Sequence, residues 1–202
     1  LFSNLDMSVV NAIFESTSGI TTTGSTVISN LEKTSYGILL WRSLLQWLGG
    51  IGIIVMAIAI LPMLSIGGMQ LFKTESYETP EKVIPRAAIF ASGISVVYFT
   101  LTFIWTLMLW FAGMPLFDSI AHAMTTLATG GFSTKSESLS AFDSVYIEMI
   151  IIFGMIVGSL PFVHYLSITK NGLRNLLNDD QVKWFIILLI ILIILVTINL
   201  YN

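Results

Sequence analysis

Apolar residues run almost unbroken through Ile38–Leu64, Ala87–Phe111 and Val145–Ile168. Each run exceeds the roughly 20 residues, at a rise of about 1.5 Å each, that a helix needs to cross hydrocarbon. A fourth run, Trp184–Leu200, is nearly continuous Ile and Leu at the short end of that range. The pattern predicts four membrane-spanning helices. Two further stretches, Met7–Gly19 and Leu116–Ala128, mix apolar and small residues over only about thirteen positions, so as helices they reach about 20 Å, part way through a bilayer. Asp6 and Pro115 precede them as helix-starting residues, and Thr and Gly end them. They read as re-entrant half-helices. Non-helical backbone at membrane depth is tolerated only where protein or a water-filled cavity surrounds it, so a half-helix ending in Thr/Gly implies a polar pathway.

The two half-helices read as copies of one another at low identity. NAIFESTSGITTTG (Asn11–Gly24) and DSIAHAMTTLATGG (Asp118–Gly131) align without gaps at an offset of 107 residues, matching Ile13 with Ile120, Thr22 with Thr129 and Gly24 with Gly131. Each copy runs in the same order: half-helix, Thr/Gly turn, polar return, long apolar span. A repeat in one orientation points to subunit-like units around a central axis.

Composition sharpens this picture. Hydrophobic residues make up 55% of the 202 and charged residues 10%, with a mean hydropathy of +0.86. Too few charges remain to cover a water-facing surface, so the apolar excess faces lipid. The formal charge of −3 offers no basic patch for nucleic acid. No Cys is present, which excludes disulfides and cysteine-ligated metals. The opening at Leu1, with neither an initiator Met nor a signal-peptide pattern, reads as an internal fragment. Lys73, Lys82 and Arg86 fall between spans one and two, and Lys170, Arg174 and Lys183 between three and four. The other connections hold only Lys33 and Lys135. By the positive-inside rule both half-helices enter from outside.

A monovalent cation entering a membrane must exchange its hydration shell for other oxygens, and a ring of backbone carbonyls does so without fixed charge. Gly turns successive carbonyls to one axis by adopting φ > 0 at low cost, Thr stiffens its neighbours, and the half-helix C-terminus presents the negative end of its dipole. ITTTGST (Ile20–Thr26) and ATGGFST (Ala128–Thr134) have these features and carry no Asp or Glu, which favours an uncharged site for a monovalent ion. A Thr/Gly run also ends helices that bind nothing. Its recurrence at matching positions of a repeat favours coordination.

FESTSGITTTGSTVI (Phe14–Ile28) followed by LLWRSLLQWLGGIGIIVMAIAILPMLSIGGMQLF (Leu39–Phe72), and FDSIAHAMTTLATGGFST (Phe117–Thr134) with FDS at Phe142–Ser144, resemble the bacterial Trk/Ktr potassium-uptake membrane subunits. The resemblance covers most of the chain. It implies an all-α polytopic membrane protein of repeated membrane–pore-loop–membrane units, here incomplete. Residues 1–65 would be the pore loop and second helix of unit one, 66–169 the whole of unit two, and 170–202 the first helix of unit three. It implies further that Thr22, Thr23, Gly24, Thr129, Gly130 and Gly131 bind transported potassium through their backbone, with no other cofactor and no enzymatic activity. A multi-pass protein of the inner membrane is implied too, paired as a homodimer with a cytoplasmic nucleotide-binding regulatory subunit of TrkA/KtrA type.

The remaining polar residues are read as support or as helix ends. Glu15 in the first half-helix and Arg42 at the start of the next span are expected to pair, because unpaired charge at membrane depth is costly; ion steering and a hydrated outer mouth are the alternatives. His122 occupies the repeat position of Glu15 and is expected to play the same supporting part, with proton coupling as a second possibility. Asp118 is expected to cap the second half-helix. Asp143 and Glu148 read as cap or interface residues, and His164 as interfacial. GGIG (Gly49–Gly52) and GMIVG (Gly154–Gly158) lie inside spans and are read as close-packing sites. Two rival functions stand beside cation transport. A secondary transporter with re-entrant hairpins for a small anionic solute should show inverted repeats and half-helix N-termini at its site. An intramembrane hydrolase needs a nucleophile beside a base, which the sequence does not identify.

Overall fold

The computed structural model describes residues 7–64, 83–162, 164–166 and 179–201. Its elements are α1 (Val9–Ile20), a 3-10 turn (Leu31–Lys33), α2 (Tyr36–Leu64), α3 (Val83–Phe111), α4 (Leu116–Leu127), a second 3-10 turn (Ser138–Phe142), α5 (Val145–Ser159) and α6 (Asp180–Tyr201). Among the described residues there is no β-strand. The chain divides into two compact units, residues 1–159 and 160–202.

In the first unit, α1 and α4 are the two half-helices, 12 residues each, or roughly 18 Å at 1.5 Å per residue. α2 and α3 are 29 residues each, roughly 44 Å and long enough to cross with tilt. α2 lies against α1 on one side and against α3 and α4 on the other, so it joins the two copies. Leu39, Arg42, Ser43, Gln46 and Trp47 recur at helical spacing and are all buried, while Trp41 and Leu48 on the other face are exposed. The buried stripe is polar in its middle. At its far end Trp47 stacks on Tyr98 of α3, the Trp47 indole N–H donates to Thr102 Oγ1 at 3.0 Å, and the Tyr98 hydroxyl donates to the Trp47 carbonyl at 3.1 Å. Tyr146, Ile152, Phe153, Phe99 and Phe103 face outward, as in a fold whose periphery meets lipid.

Helix starts and stops differ from the sequence expectation at three places. The first half-helix is capped by Ser8, whose Oγ accepts from the Asn11 N–H at 3.2 Å; Asp6 lies outside the described residues. Asp118 does not cap α4, which begins after Pro115 without a side-chain cap. Pro at that junction needs no N–H partner and presets φ. The third run is helical as α5 only to Ser159, breaking at Leu160 before Pro161. A residue preceding Pro is driven out of the α region, and Pro cannot donate to the turn before it. By length and composition, Ala91–Phe111 and Asp180–Leu200 are sufficient to cross a membrane, and Val145–Ser159 is shorter.

In the second unit, Leu160 and Val182 pack with Tyr165, Phe185 and Ile186, and His164 Nε2 lies 3.5 Å from Asp179 Oδ2. Asp179 also accepts from the Gln181 and Val182 N–H groups at 2.9 and 3.2 Å, as an N-cap for α6. Beyond Trp184 the Ile and Leu side chains of α6 are half-exposed on every side. Of the inner-loop basic residues, Lys73, Lys82, Lys170 and Arg174 lie outside the described residues.

Candidate functional site: two matched Thr/Gly turns

Both half-helices end in the same backbone motif. In the first, the Thr23 N–H donates to the Ser18 carbonyl and the Thr22 N–H to the Gly19 carbonyl, each at 3.0 Å. In the second, Gly130 N–H donates to the Thr125 carbonyl at 2.8 Å and Thr129 N–H to the Thr126 carbonyl at 3.0 Å. These are paired six-to-one and five-to-two bonds of a Schellman ending. That motif places its first residue beyond the cap in the left-handed region, usually as Gly. Here the residue is Thr in both copies, Thr22 at φ 55° and Thr129 at φ 52°. Two residues on, Gly24 and Gly131 have φ 81° and 82°. The 107-residue offset therefore relates backbone conformation as well as letters. A β-branched residue at φ > 0 is an outlier that costs about 1–3 kcal/mol and persists where the surroundings over-determine it. The residue sequence suggested Gly as the agent of left-handed backbone; Thr shares that task.

The turns touch. A Cβ built on Gly24 would lie 2.0 Å from the carbonyl oxygen of Gly130, so only glycine lets the two chains approach. Behind each turn a glycine of the following helix meets the terminal carbonyl of the half-helix: Gly49 of α2 at Ile20, and Gly158 of α5 at Leu127. Ile20 and Leu127 are equivalent positions of the repeat. The GGIG and GMIVG segments are thus close-packing sites. Beside the second turn opens a cavity of about 270 Å³, lined by Thr129, Gly130, Gly131 and His122 and, from α5, Ile151 and Met155.

The supporting residues also follow the repeat. Glu15 accepts from Thr26 Oγ1 at 2.9 and 3.1 Å and from the Val27 N–H at 2.9 Å, tying half-helix to return strand. His122, its counterpart, presents Nδ1 to the Asp118 carbonyl at 2.8 Å and Nε2 to Ser133 Oγ at 3.1 Å, and Ser133 is the counterpart of Thr26. A carbonyl only accepts, so Nδ1 carries a proton, and in the neutral ring Nε2 accepts from Ser133. Asp118 accepts from Thr134 Oγ1 at 2.6 Å and lies 4.0 Å from Lys135 Nζ: it holds the second return strand, the part for which capping was expected. Asp143 ends the second 3-10 turn in left-handed conformation, and Glu148 sits in the first turn of α5.

Arg42, Gln46 and Glu32 of the first copy reach polar groups of the second. Arg42, 3% exposed, donates from Nε to Glu15 at 2.8 Å, from Nη2 to Thr26 Oγ1 at 3.1 Å and from Nη1 to the Ser133 carbonyl at 3.1 Å, with its guanidinium 4.1 Å over the Phe132 ring. Gln46, one helical turn on, donates from Nε2 to the Gly130 carbonyl at 2.9 Å and accepts from the Phe132 N–H at 3.1 Å. Glu32 accepts from the Ser136 N–H at 2.8 Å and the Ser136 hydroxyl at 2.6 Å. These bonds hold the Glu32 carboxyl down at about 2, the hydroxyl contributing most. Gln46, Glu32 and Ser136 carry no assignment from the sequence. For Gln46 a signal was present: a lone amide in an apolar run, on the same helical face as Arg42. Glu32 and Ser136 lie 104 residues apart and offer none. Among the described residues no cluster of His, Cys, Asp or Glu could hold a metal ion, and no buried side-chain nitrogen or oxygen lacks a partner.

Comparison with known proteins fits this geometry. The family model described as TrkH, cation transport protein, matches residues 1–202. The Trk system potassium uptake protein TrkI of Halomonas elongata is 44% identical over 95% of this chain and 39% of its own length. TrkH of Salmonella typhimurium is 41% identical over 97% of this chain and 41% of its own. The crystal structure of the potassium transporter TrkH from Vibrio parahaemolyticus superposes with a TM-score of 0.80 at 37% identity, covering 94% of this chain and 38% of that one. The chain thus spans about two fifths of the length of its relatives. Matched over its whole length, with the fold of a solved relative, the chain belongs to the TrkH family of cation transport proteins.

Proposed function

We propose that this chain supplies part of a selective pathway for potassium uptake across the inner membrane, with the backbone of Thr22, Thr23, Gly24, Thr129, Gly130 and Gly131 coordinating the partly dehydrated ion. The observation that carries the reading is the paired turn. Two half-helices end in the same Schellman geometry, with left-handed residues at 22 and 24 and again at 129 and 131, and the turns meet at Gly24 and Gly130. Each turn follows a half-helix C-terminus, whose partial negative charge favours a cation. An anion carrier with re-entrant hairpins would use N-termini. The Glu15 and His122 sets hold the return strands, so no carboxylate need enter the coordination shell. The relatives named as potassium uptake proteins support potassium as the ion.

The activity belongs to the longer protein. Ion movement down the membrane potential gains about 2.3 kcal/mol per charge per 100 mV. The resemblance to Trk/Ktr subunits supports a homodimer with a nucleotide-binding regulatory subunit at the cytoplasmic face. The test is rubidium uptake by the complete protein in cells lacking their own potassium uptake, beside its Gly24→Ser variant. The expected result is rescue of growth at low potassium, with discrimination against sodium lost in the variant. Rescue unchanged by Gly24→Ser would move the ion site elsewhere.

A further inference from the structure

We propose that Gln46 is a positioning residue for ion selectivity: its amide clamps the second turn from the neighbouring copy and fixes the direction of the Gly130 and Gly131 carbonyls. The inference rests on the reading of that turn as a cation-coordinating element. Gln46 is 0% exposed, in the middle of the polar stripe of α2. Its two polar atoms are used on backbone that brackets Gly131: Nε2 donates to the Gly130 carbonyl and Oε1 accepts from the Phe132 N–H. The carbonyl can only accept and the N–H only donate, so the partners fix the orientation of the amide. The same contact explains Gly130: a Cβ there would lie 2.3 Å from Gln46 Oε1.

On its other side the Gly130 oxygen is met by Gly24. The peptide between Gly130 and Gly131 is therefore caught between an amide donor and the first turn. A Cβ built on Gly131, at φ 82°, would meet nothing within 4 Å, so no side-chain packing on that side holds the plane. Without the clamp, the Gly130–Gly131 and Gly131–Phe132 peptides are each freer to rotate, and each carries its own carbonyl off its direction. The device is one-sided. By the packing that matches Gly49 to Gly158, the α5 counterpart of Gln46 is Met155, so α5 does not offer the same amide. Within this chain the second turn is held by the helix that follows the first.

Gln46→Glu makes the chemistry testable, since the carboxylate matches the amide in shape. Ionised, it can still accept from Phe132 N–H, but it sets a second acceptor against the Gly130 carbonyl. Protonated, it regains a donor. Gln46→Met removes both bonds at similar volume. The experiment is rubidium and sodium flux in proteoliposomes containing the complete transporter, for wild type, Gln46→Glu, Gln46→Met and Gly131→Ser, across external pH. Losing the two neutral bonds should lower rubidium over sodium discrimination by about fivefold to tenfold in Gln46→Met. Gln46→Glu should lose at least as much at the alkaline end of the pH series, where its buried carboxyl is ionised, and recover as pH falls, while wild type and Gln46→Met stay flat. A merely structural role would lower folded yield without a pH-dependent ion ratio. Wild-type discrimination in both Gln46 variants, with Gly131→Ser impaired, would overturn the clamp and leave the turn as an ion site. Wild-type discrimination in all three would overturn the ion site itself. Should Gln46→Met fail to insert, the pH response of Gln46→Glu decides, and a flat response would count against the clamp.

Discussion

Removing Arg42 should destabilise the protein far more than an ordinary charge deletion, because it is a buried joint between the two copies. The perturbation is Arg42→Met, which keeps an apolar stem and deletes the guanidinium. Glu15, 6% exposed, would lose its partner at 2.8 Å and keep Thr26 Oγ1 and the Val27 N–H. Breaking a buried ion pair costs about 3–5 kcal/mol, and the donors that remain on Glu15 place this site near the lower end. The Ser133 carbonyl loses a charge-assisted bond and Phe132 its cation–π contact, which together bring the expected cost to about 4 kcal/mol. Glu15→Gln should cost less, about 2 kcal/mol, because Arg42 keeps Thr26 and Ser133 as acceptors. The double variant should fall short of the sum by about 1–3 kcal/mol, the usual coupling of residues in one network. Large membrane proteins unfold irreversibly, so the assay is the half-life of monodisperse complete protein in detergent at fixed elevated temperature. At tenfold per 1.4 kcal/mol, Arg42→Met should shorten it about a hundredfold or more. A loss below about threefold, the scale of a surface pair, with no coupling to Glu15→Gln, would refute the reasoning.

Three other outcomes are expected. Thr22→Gly and Thr129→Gly remove left-handed strain and should stabilise the folded protein by about 1 kcal/mol each, while ion discrimination falls because the stiff side chain is gone; parallel half-life and flux measurements check both signs. Gly49→Ala puts a Cβ 2.0 Å from the Ile20 carbonyl oxygen and should cost more than about 2 kcal/mol, whereas Gly37→Ala meets nothing within 4 Å and should be tolerated, as thermal half-lives would show. The Glu32–Ser136 tie has a depressed folded carboxyl, so its contribution is present above the ordinary value of 4.5 and is lost as pH falls from there to about 2. Exposure keeps that contribution small, and a spin-label distance across the two loops should widen in that window in wild type and be pH-independent in Glu32→Gln.

Much of the architecture is legible because it is local or repeated. Runs of Ile and Leu locate α2, α3 and α6, the 107-residue repeat locates both half-helices, and Thr/Gly endings locate the turns. Pro161 could have shown that the third run is not one uninterrupted helix, since the residue before a proline leaves the α region. Asp118 misled because an acid at a helix start suits both a cap and a strand tie, and only the position of Thr134 separates them. Gln46 to Gly130, Arg42 to Ser133 and Glu32 to Ser136 join residues 84, 91 and 104 apart, and none is repeated within the chain. No periodicity announces such contacts. They arise because α2 packs against both half-helices.

Backbone carbonyls of the matched turns are proposed to bind the ion. Anomalous scattering from rubidium or thallium in crystals of the complete transporter tests this most directly. The account predicts a peak within coordination distance of carbonyls of Thr22–Gly24 and of Thr129–Gly131, lost or displaced in Gly24→Ser. Peaks confined to other parts of the protein, with these carbonyls unoccupied at saturating ion, would contradict it.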